Sequence, residues 1–462
     1  MKLTFFKPNL RLFTTCLCAW LFTVTTHAQP SAPQPLSLQD ALQYALKNSS
    51  VARKAALDVQ NGNYQIDETR ARALPQLSIN STLSDQYKKQ SFVFDKSFID
   101  PTQSGIILVP SGSTWNSVSS VSFEQKIFDQ SVFTGLKAAK STQQYYNLAA
   151  QLTDEQIIEQ VATAYYQVLV QRQKLIVIDS NITNTTKVYN IINGQYQNGL
   201  AKKIDVDRTQ VTISNLKAQR QQLLNAVSIQ ENTLKYYMGM DIATPVEVPQ
   251  SQLDSIHPED IPQTDSLDIT QRTEYKVLKK QDELYRYNRD AYKAEYYPSL
   301  SLSAAHSLQG VSEDFVLFRG QKNNGYWFNY GNASLNLRVP LFNGFATRAR
   351  VRQANISIEK NNEDIRNTTL SLNLAYENAK TQIGNSLITL NNQKDNVQLA
   401  QEIFFNTQNN YNNGLAPLTD LLDSENSLTQ AQNNYSSALL DYKIAQIQLI
   451  KSQGGLKTLL NQ

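Results

Sequence analysis

The sequence predicts an α+β membrane protein in which one structural unit, a few strands followed by very long helices, occurs twice. Three observations lead to this prediction. Tyr196–Gly239 aligns without a gap with Tyr411–Gly454, which indicates two copies of one unit in one chain. In each half, segments with a period of two residues precede segments with a helical period. An export signal comes first, and no later apolar run reaches the length of a membrane-spanning helix. An exported chain of this kind is either soluble outside the inner membrane or crosses a membrane as a β-barrel.

Residues 1–28 are predicted to be a signal peptide. Three basic residues precede an apolar core at Leu12–Val24, and Thr26-His27-Ala28 provides a cleavage site. The alternatives are an uncleaved anchor and a lipoprotein signal at Cys16 or Cys18. Removal of this segment lowers the formal net charge from +3 to zero and removes both cysteines. The mature chain therefore has no thiol chemistry, and its charge gives no reason to expect a nucleic-acid partner.

The mature chain divides into two repeats joined by a linker. The first repeat is predicted at residues 29–240 and the second at 270–456, with a short tail at 457–462. The linker at 241–269 is rich in Pro, Asp and Ser, which is typical of irregular structure. Each repeat opens with a helix of moderate length that ends before a proline. These helices are predicted at Ser37–Ala71 and Thr270–Glu295, before Pro75 and Pro298.

A β-hairpin follows in each repeat, at about 75–128 and about 298–342, with long loops at roughly 86–114 and 309–325. Apolar residues alternate with Ser, Asn and Gln along these strands, so one face of the sheet is apolar. Alternation alone fits a soluble sheet with one wet face equally well. Aromatic residues near the strand ends favour the membrane, because they fit an interfacial girdle. They are Phe92, Phe94, Trp115, Phe315, Tyr326, Trp327, Phe328 and Tyr330.

Long helix pairs complete the repeats, at about 129–239 and about 343–454. Only Asn198-Gly199 and Asn413-Gly414 interrupt them, and Gly after a polar residue is a helix C-cap signal. Helices of about 40 to 65 residues form rods of roughly 60–100 Å. Apolar residues recur every seven positions, which favours coiled-coil packing of the long helices. In the second repeat they are Leu421, Leu428, Tyr435, Tyr442 and Leu449.

Four strands cannot close a barrel in lipid, where open sheet edges are not tolerated. A contribution of four strands per chain therefore implies a barrel shared by several copies. Two copies would give a barrel filled by side chains, whereas three would leave room for a channel. Long helices attached on one side would continue such a barrel as a helical tube.

Several short motifs occur in a fixed order along the chain. They are Leu36–Leu46, Pro75-Gln76-Leu77, Arg272-Thr273-Glu274, Pro298-Ser299-Leu300, Val339–Gly344 and Tyr411–Asp423. In this order the chain resembles the TolC-type outer-membrane efflux proteins, the outer membrane factors of tripartite export systems, over essentially its whole mature length. The resemblance implies a homotrimer with a shared transmembrane β-barrel of twelve strands, four per chain, continued by a long α-helical coiled-coil barrel. It implies a gated, passive exit duct in the outer membrane of a Gram-negative bacterium, extending into the periplasm. A periplasmic adaptor (membrane fusion protein) and an inner-membrane pump of the RND or ABC type would be its partners.

The resemblance also implies roles for residues near the two helical turns. Asp420 and Asp423 would ring the periplasmic pore as its gate and selectivity residues, while Asp205 and Tyr411 would hydrogen-bond across neighbouring helices. Without the resemblance, Asp420 is explained by its place in the first turn of a helix, where the dipole favours an acid. The helix-turn tips for adaptor docking would be Asn198, Gly199, Leu200, Asn413, Gly414 and Leu415. The chain departs from the family at Ala416, where a basic residue would tie the gate closed, so its latch is weaker or built otherwise.

The sequence predicts neither an enzyme nor a cofactor or metal site. The mature histidines are His257 in the linker and His306 in a strand, and no phosphate-binding Gly loop is present. Asp205-Val206-Asp207 lacks the rest of a calcium loop. The alternative function, from another class, is a periplasmic coiled-coil scaffold or adaptor whose strands form a soluble sheet. The sequence does not specify the cargo, the adaptor or the pump.

Overall fold

The structure, a computed structural model, describes residues 35–99, 101–102, 104–249, 267–315 and 325–461. The predicted signal peptide and His257 lie outside the described residues. Among the helices that are described, none combines the length and the apolar character needed to cross a membrane.

Two helices open the described chain where the sequence predicts one. Helix α1 spans Leu38–Asn48 and helix α2 spans Ser50–Ala71. Between them Ser49 is extended, with φ −61° and ψ 141°; its N–H donates to the Ala45 carbonyl, and its hydroxyl accepts from the Ala52 N–H at 3.1 Å. One serine therefore ends the first helix and caps the second, and the prediction of one continuous helix was wrong.

Four strands form one antiparallel sheet. Strand β1 spans Gln76–Asp85, β4 Trp115–Phe128, β5 Ser299–Ser312 and β6 Gly325–Arg338, in the order β1-β4-β5-β6. The pairing of β4 with β5 joins the two repeats in one sheet. Strands β1 and β6 are the outer members, and each has one edge without a partner in this sheet.

The long connection predicted at 86–114 contains a hairpin of its own. Strand β2, Gln90–Asp95, pairs antiparallel with β3, Ile106–Ser111. Both strands carry apolar side chains on both faces, so they lack the alternation that reveals a half-buried strand. The prediction of a loop throughout this segment was therefore wrong.

The remaining helices are very unequal in length. Helix α3 spans Gln130–Gln197 and α6 spans Ala346–Asn412, 68 and 67 residues. Helices α4, Lys203–Met238, and α7, Leu418–Ser452, have 36 and 35 residues, and α5 spans Thr273–Ala294. The two longest helices extend about 100 Å each. The helix ends predicted at the two Asn-Gly pairs are present.

The largest apolar core lies where α1 crosses the long helices. Leu42 of α1, Ile158 of α3 and Leu449 of α7 are fully buried in it. The start of the linker is fixed beside this core, because the Arg172 guanidinium donates to Glu231 at 2.6 Å and to the carbonyl of Val246 at 3.1 Å. The core therefore joins both repeats and the linker away from the sheet.

Candidate functional site

Two matching turns end the long helices at the pole opposite the sheet. Gly199 and Gly414 adopt positive φ angles of 77° and 73°, which only glycine adopts at little cost. In each turn the following leucine N–H donates back to a helical carbonyl: Leu200 to Gln195 and Leu415 to Asn410, both at 2.8 Å. This is the Schellman pattern, which satisfies the last carbonyls of the helix.

The asparagine of each turn caps its own helix. The Asn198 side chain donates to the Gly194 carbonyl at 2.8 Å, and that of Asn413 donates to the Asn409 carbonyl at 2.9 Å. The leucines that follow are open to solvent, since Leu200 is 80% exposed and Leu415 78%. Each repeat therefore presents a rigid turn with one apolar side chain at its tip.

A small apolar cluster packs the two turns side by side. Its buried members come from four helices: Val188, Ile192, Val206, Phe404, Leu418 and Leu421. Tyr411 is partly buried against it. Burial, and then the charge of Asp205, raise the pKa of the Tyr411 hydroxyl, so the two predicted latch residues lie close together in one chain. Among the described contacts no hydrogen bond joins them.

Asp420 and Asp423 both lie exposed near the start of α7. Asp420 is in the first turn of α7, the position that Asp205 holds in the first turn of α4. A carboxylate there is favoured by the positive end of the helix dipole. Both side chains are exposed at the pole where the turns meet.

A third carboxyl, which sequence reasoning missed, is buried one turn further along α7. Glu425 is 5% exposed and lies on the same stripe as Leu421 and Leu428. Its Oε1 has no hydrogen-bond partner among the described residues, and the hydroxyl of the nearby Thr185 of α3 donates to the Asn181 carbonyl at 2.9 Å. Burial raises the pKa of the Glu425 carboxyl to about 7, because the charged form is costly away from water. Its repeat counterpart, Gln210, is exposed, so the duplication gave no signal for it.

At the other pole, the sheet has one apolar and one polar face. Paired residues share a face, so the registers assign each side chain. The apolar face carries Leu77, Ile79, Val121, Phe123, Leu300, Leu302, Leu308, Leu335 and Leu337. The apolar side chains of the outer strands are uncovered, with Ile79 73% and Leu337 67% exposed. The polar face is largely Ser, Asn, Thr and Gln, with hydrogen bonds such as Gln309 to Asn116 at 2.9 Å.

The predicted aromatic girdle is divided between the two faces. Trp115 and Trp327 lie on the apolar face at the end remote from the helices. Phe315 packs against Trp115 with ring centroids 4.7 Å apart, and Gly310 lies under Trp327, where a Cβ would come within 2.7 Å of the ring. These aromatics are placed as an interfacial belt requires.

The other predicted girdle residues lie elsewhere. Tyr326, Phe328 and Tyr330 alternate with Trp327 along β6, so they project from the polar face. Phe92 and Phe94 belong to the β2–β3 hairpin, beyond the sheet. Their assignment to the girdle was wrong. Strand parity puts the three β6 residues on the polar face, and Phe92 and Phe94 do not belong to the four-stranded sheet.

Metal coordination has no candidate in the described part of the chain. No group of three or more His, Cys, Asp or Glu side chains with suitable placement is found there. His306 lies within β5, paired with Val121 and Gly331.

The chain matches known proteins over most of its length. The sequence profile named "Outer membrane efflux protein" matches residues 41–240 and 272–455. Outer membrane protein TolC of Escherichia coli is 22% identical over 447 residues, covering 92% of this chain and 84% of that protein. The pyoverdine export outer membrane protein OpmQ of Pseudomonas aeruginosa is 24% identical, covering 90% and 85%. The crystal structure of the CusC channel superposes with a TM-score of 0.71 at 17% identity, covering 93% and 96%.

Proposed function

Because this chain belongs to the outer membrane efflux protein family, we propose that it is the passive exit duct of a tripartite efflux or type I secretion system. It is an outer-membrane duct for efflux or secretion. The observation that carries the proposal is the joining, in one chain, of a two-faced sheet and helices of about 100 Å. The two-faced sheet fits a lipid bilayer, and the long helices have the length to extend into the periplasm.

The open edges of the sheet support a trimer. The strands alternate in direction along β1-β4-β5-β6, so β1 of a second copy can add to β6 of the first with the same antiparallel pairing. Closure in a ring removes every edge, as lipid requires. Three copies give twelve strands with the apolar face outward and the polar face around a channel.

The turns at the opposite pole support a gated entrance. Three copies would bring Asp420 and Asp423 together as six carboxylates around one opening, which favours cations and binds them. Asp205 lies beside Tyr411, and in the assembled duct these two side chains would hydrogen-bond across neighbouring helices to hold the entrance closed. Ala416 is half-buried and carries no charge, so the latch lacks a basic residue at this position.

The exposed leucine tips support docking to a partner. Such ducts work with an adaptor and a pump in tripartite systems. We assign the docking surface to the tips Asn198-Gly199-Leu200 and Asn413-Gly414-Leu415, which present Leu200 and Leu415 on rigid turns. A periplasmic adaptor would hold these tips, and an inner-membrane pump of the RND or ABC type would supply the energy.

The test uses two neighbouring residues on opposite faces of β6. Leu335→Lys places a charge on the apolar face, at a cost of about 2–4 kcal/mol near the bilayer midplane. We expect it to reduce the amount of protein in the outer-membrane fraction. Ser334→Lys, its matched control on the polar face, should assemble normally and shift planar-bilayer conductance towards anions.

Two other results would support the alternative function, a periplasmic coiled-coil scaffold or adaptor whose strands form a soluble sheet. A parent protein that fractionates with the soluble periplasm and gives no conductance would reject the duct. Equal tolerance of both lysines would likewise show that the apolar face does not meet lipid.

A further inference from the structure

An apolar hairpin stands beyond the sheet, and no other segment in the described part of the chain covers it. We call the paired strands β2, Gln90–Asp95, and β3, Ile106–Ser111, the apolar hairpin. Phe92 and Phe94 share one face with Ile107 and Val109, and Val93 shares the other with Leu108. Val93 and Leu108 are each 63% exposed, and Phe92 is 53% exposed. A two-stranded hairpin with two uncovered apolar faces is marginal in water without a partner.

The root of the apolar hairpin is fixed to the sheet. The Gln86 N–H donates to the Thr114 carbonyl at 2.7 Å, directly above the last pair of β1 and β4. Glu313, just past β5, pairs with Lys89 at 2.5 Å and accepts from the Thr114 hydroxyl at 2.8 Å. The hairpin thus begins at the remote end of the sheet.

Lipid is a poor partner for this hairpin. Trp115 and Trp327, on the apolar face of the sheet, lie at its remote end, and such tryptophans occupy the membrane–water interface. The hairpin root follows that end. The hairpin therefore begins where the hydrocarbon layer ends, and its apolar faces require cover from protein.

A second uncovered apolar feature lies at the same end, on the polar face. We call Tyr326, Phe328 and Tyr330 the aromatic ladder, because they alternate along β6. They are 65%, 47% and 48% exposed, and the rings of Phe328 and Tyr330 lie 6.4 Å apart. Their neighbours on this face include Ser307, Gln309 and Asn116. The ladder faces the proposed channel and not the lipid.

Strand order brings the two features together in the assembly proposed above, on which this step depends. Strand β6 runs from the remote end towards the helices, and β1 runs the other way. Addition of β1 from a neighbouring copy to the free edge of β6 places that copy's Asp85, and the hairpin after it, beside the ladder. Each copy then offers one hairpin to one neighbour and one ladder to the other, as a closed ring requires.

We propose that the apolar hairpin of one copy packs against the aromatic ladder of the next and closes the outer end of the duct. The partner is a second copy of this chain, held by aromatic and aliphatic contacts between Phe92, Phe94, Phe328 and Tyr330. Cargo displaces the hairpin as it leaves. The exit is thus a separate closure from the carboxylate entrance at the other pole.

Disulfide trapping in the full-length protein tests the contact directly. Both cysteines of the chain lie within the predicted signal peptide, so introduced cysteines are the only thiols expected in the mature protein. Val109→Cys, on the hairpin face of Phe92 and Phe94, combined with Tyr326→Cys should give disulfide-linked oligomers on oxidation in cells. Val109→Cys with Asn329→Cys, on the opposite face of β6 from Tyr326, should not.

Conductance tests the closure. Phe92→Ser with Phe94→Ser should raise the open probability of the channel several-fold in planar bilayers, and Phe328→Ser with Tyr330→Ser should do the same. Both double substitutions remove the same contact. Combining all four substitutions should therefore raise the open probability little beyond the value that either double substitution gives alone. Fully additive effects, or none, would overturn the proposal.

Failure of the closure is distinguishable from failure of the duct. Trimers that conduct but give no Val109–Tyr326 cross-link retain the proposed function and reject the hairpin contact. Absence of both trimers and conductance rejects the proposed function and this inference with it.

Discussion

Among single residues, Glu425 is the one whose chemistry depends most on its surroundings. An exposed glutamate has a pKa near 4.5, but the carboxyl of Glu425 is held between Leu421, Leu428 and α3 with its pKa raised to about 7. The nearby acids Asp420 and Asp423 are exposed. One turn of helix therefore separates solvated carboxylates from a carboxyl that is half protonated at neutral pH.

The raised pKa makes the stability of the folded chain depend on pH. Between about pH 4.5 and 7 the folded state keeps a proton on Glu425 that the unfolded state has lost, so the free energy of unfolding falls as pH rises through this window. The shift corresponds to at most about 3 kcal/mol at pH 8. Glu425→Gln should remove this fall and raise the melting temperature at pH 8 more than at pH 5. Glu402→Gln, an exposed change on α6, is the control; a pH dependence unchanged in Glu425→Gln would contradict the assignment.

The exposed carboxylates of α7 give a second prediction at this scale. Asp420→Ala combined with Asp423→Ala removes the proposed ring of charge, so the permeability ratio of cations to anions should fall several-fold in planar bilayers, and block by multivalent cations should weaken. Asp395→Ala, exposed on α6 and far from the turns, should leave both unchanged. Selectivity that survives the double change would place the entrance elsewhere.

Among the elements, the repeat is closest in the helix turns and diverges in the contacts around them. Gly239 and Gly454 are repeat counterparts, and both adopt positive φ, 69° and 79°. A Cβ on Gly239 would come within 2.7 Å of the Ser49 Cα and 2.8 Å of the Asn48 carbonyl, whereas on Gly454 its nearest neighbour would be the Arg272 Cδ at 3.5 Å. The turn at Gly239 packs closely against the backbone of the α1–α2 junction, whereas the turn at Gly454 does not.

This difference predicts unequal costs for the same substitution. Alanine in place of either glycine should lower the free energy of unfolding by about 1–2 kcal/mol, because the left-handed backbone conformation disfavours a Cβ atom. Gly239→Ala also drives a methyl group into rigid backbone, so it should lower the melting temperature clearly further than Gly454→Ala. Equal decreases in melting temperature for the two variants would show that the α1–α2 junction shifts to accommodate the methyl group, and would contradict the close packing of Gly239.

How far the sequence predicts these elements depends on whether the deciding signal is local. The helix ends at Asn198 and Asn413 were predictable because the Asn-Gly pair and the end of the periodic pattern coincide. The break at Ser49 was missed, since the helical pattern continues across it. The faces of Tyr326 and Phe328 follow from counting residues from Trp327, so that error was avoidable. The burial of Glu425 was not predictable, because it depends on the packing of α3, which is distant in sequence.

At the scale of the whole molecule, equal lengths in the two repeats permit a regular tube. Helices α3 and α6 differ by one residue, and so do α4 and α7. The two halves therefore start from one sheet and reach turns that pack side by side. Three chains would supply six nearly equivalent helix pairs. Neighbouring pairs would differ only where the two repeats differ in sequence, for example at Glu425, whose counterpart in the first repeat is Gln210.

The same dimensions predict the size of the assembled particle. Helices of about 100 Å continue into strands of 14 residues, which add about 35 Å along the axis at the usual barrel tilt. Protein purified in detergent should therefore have the mass of three chains by light scattering and a length of about 135 Å by electron microscopy. It should also run as a heat-modifiable trimer in electrophoresis, because ring closure pairs β6 with β1 of the next copy along the whole seam. Single chains or open, variable stacks of strands would show that the edges of the sheet do not close three to a ring.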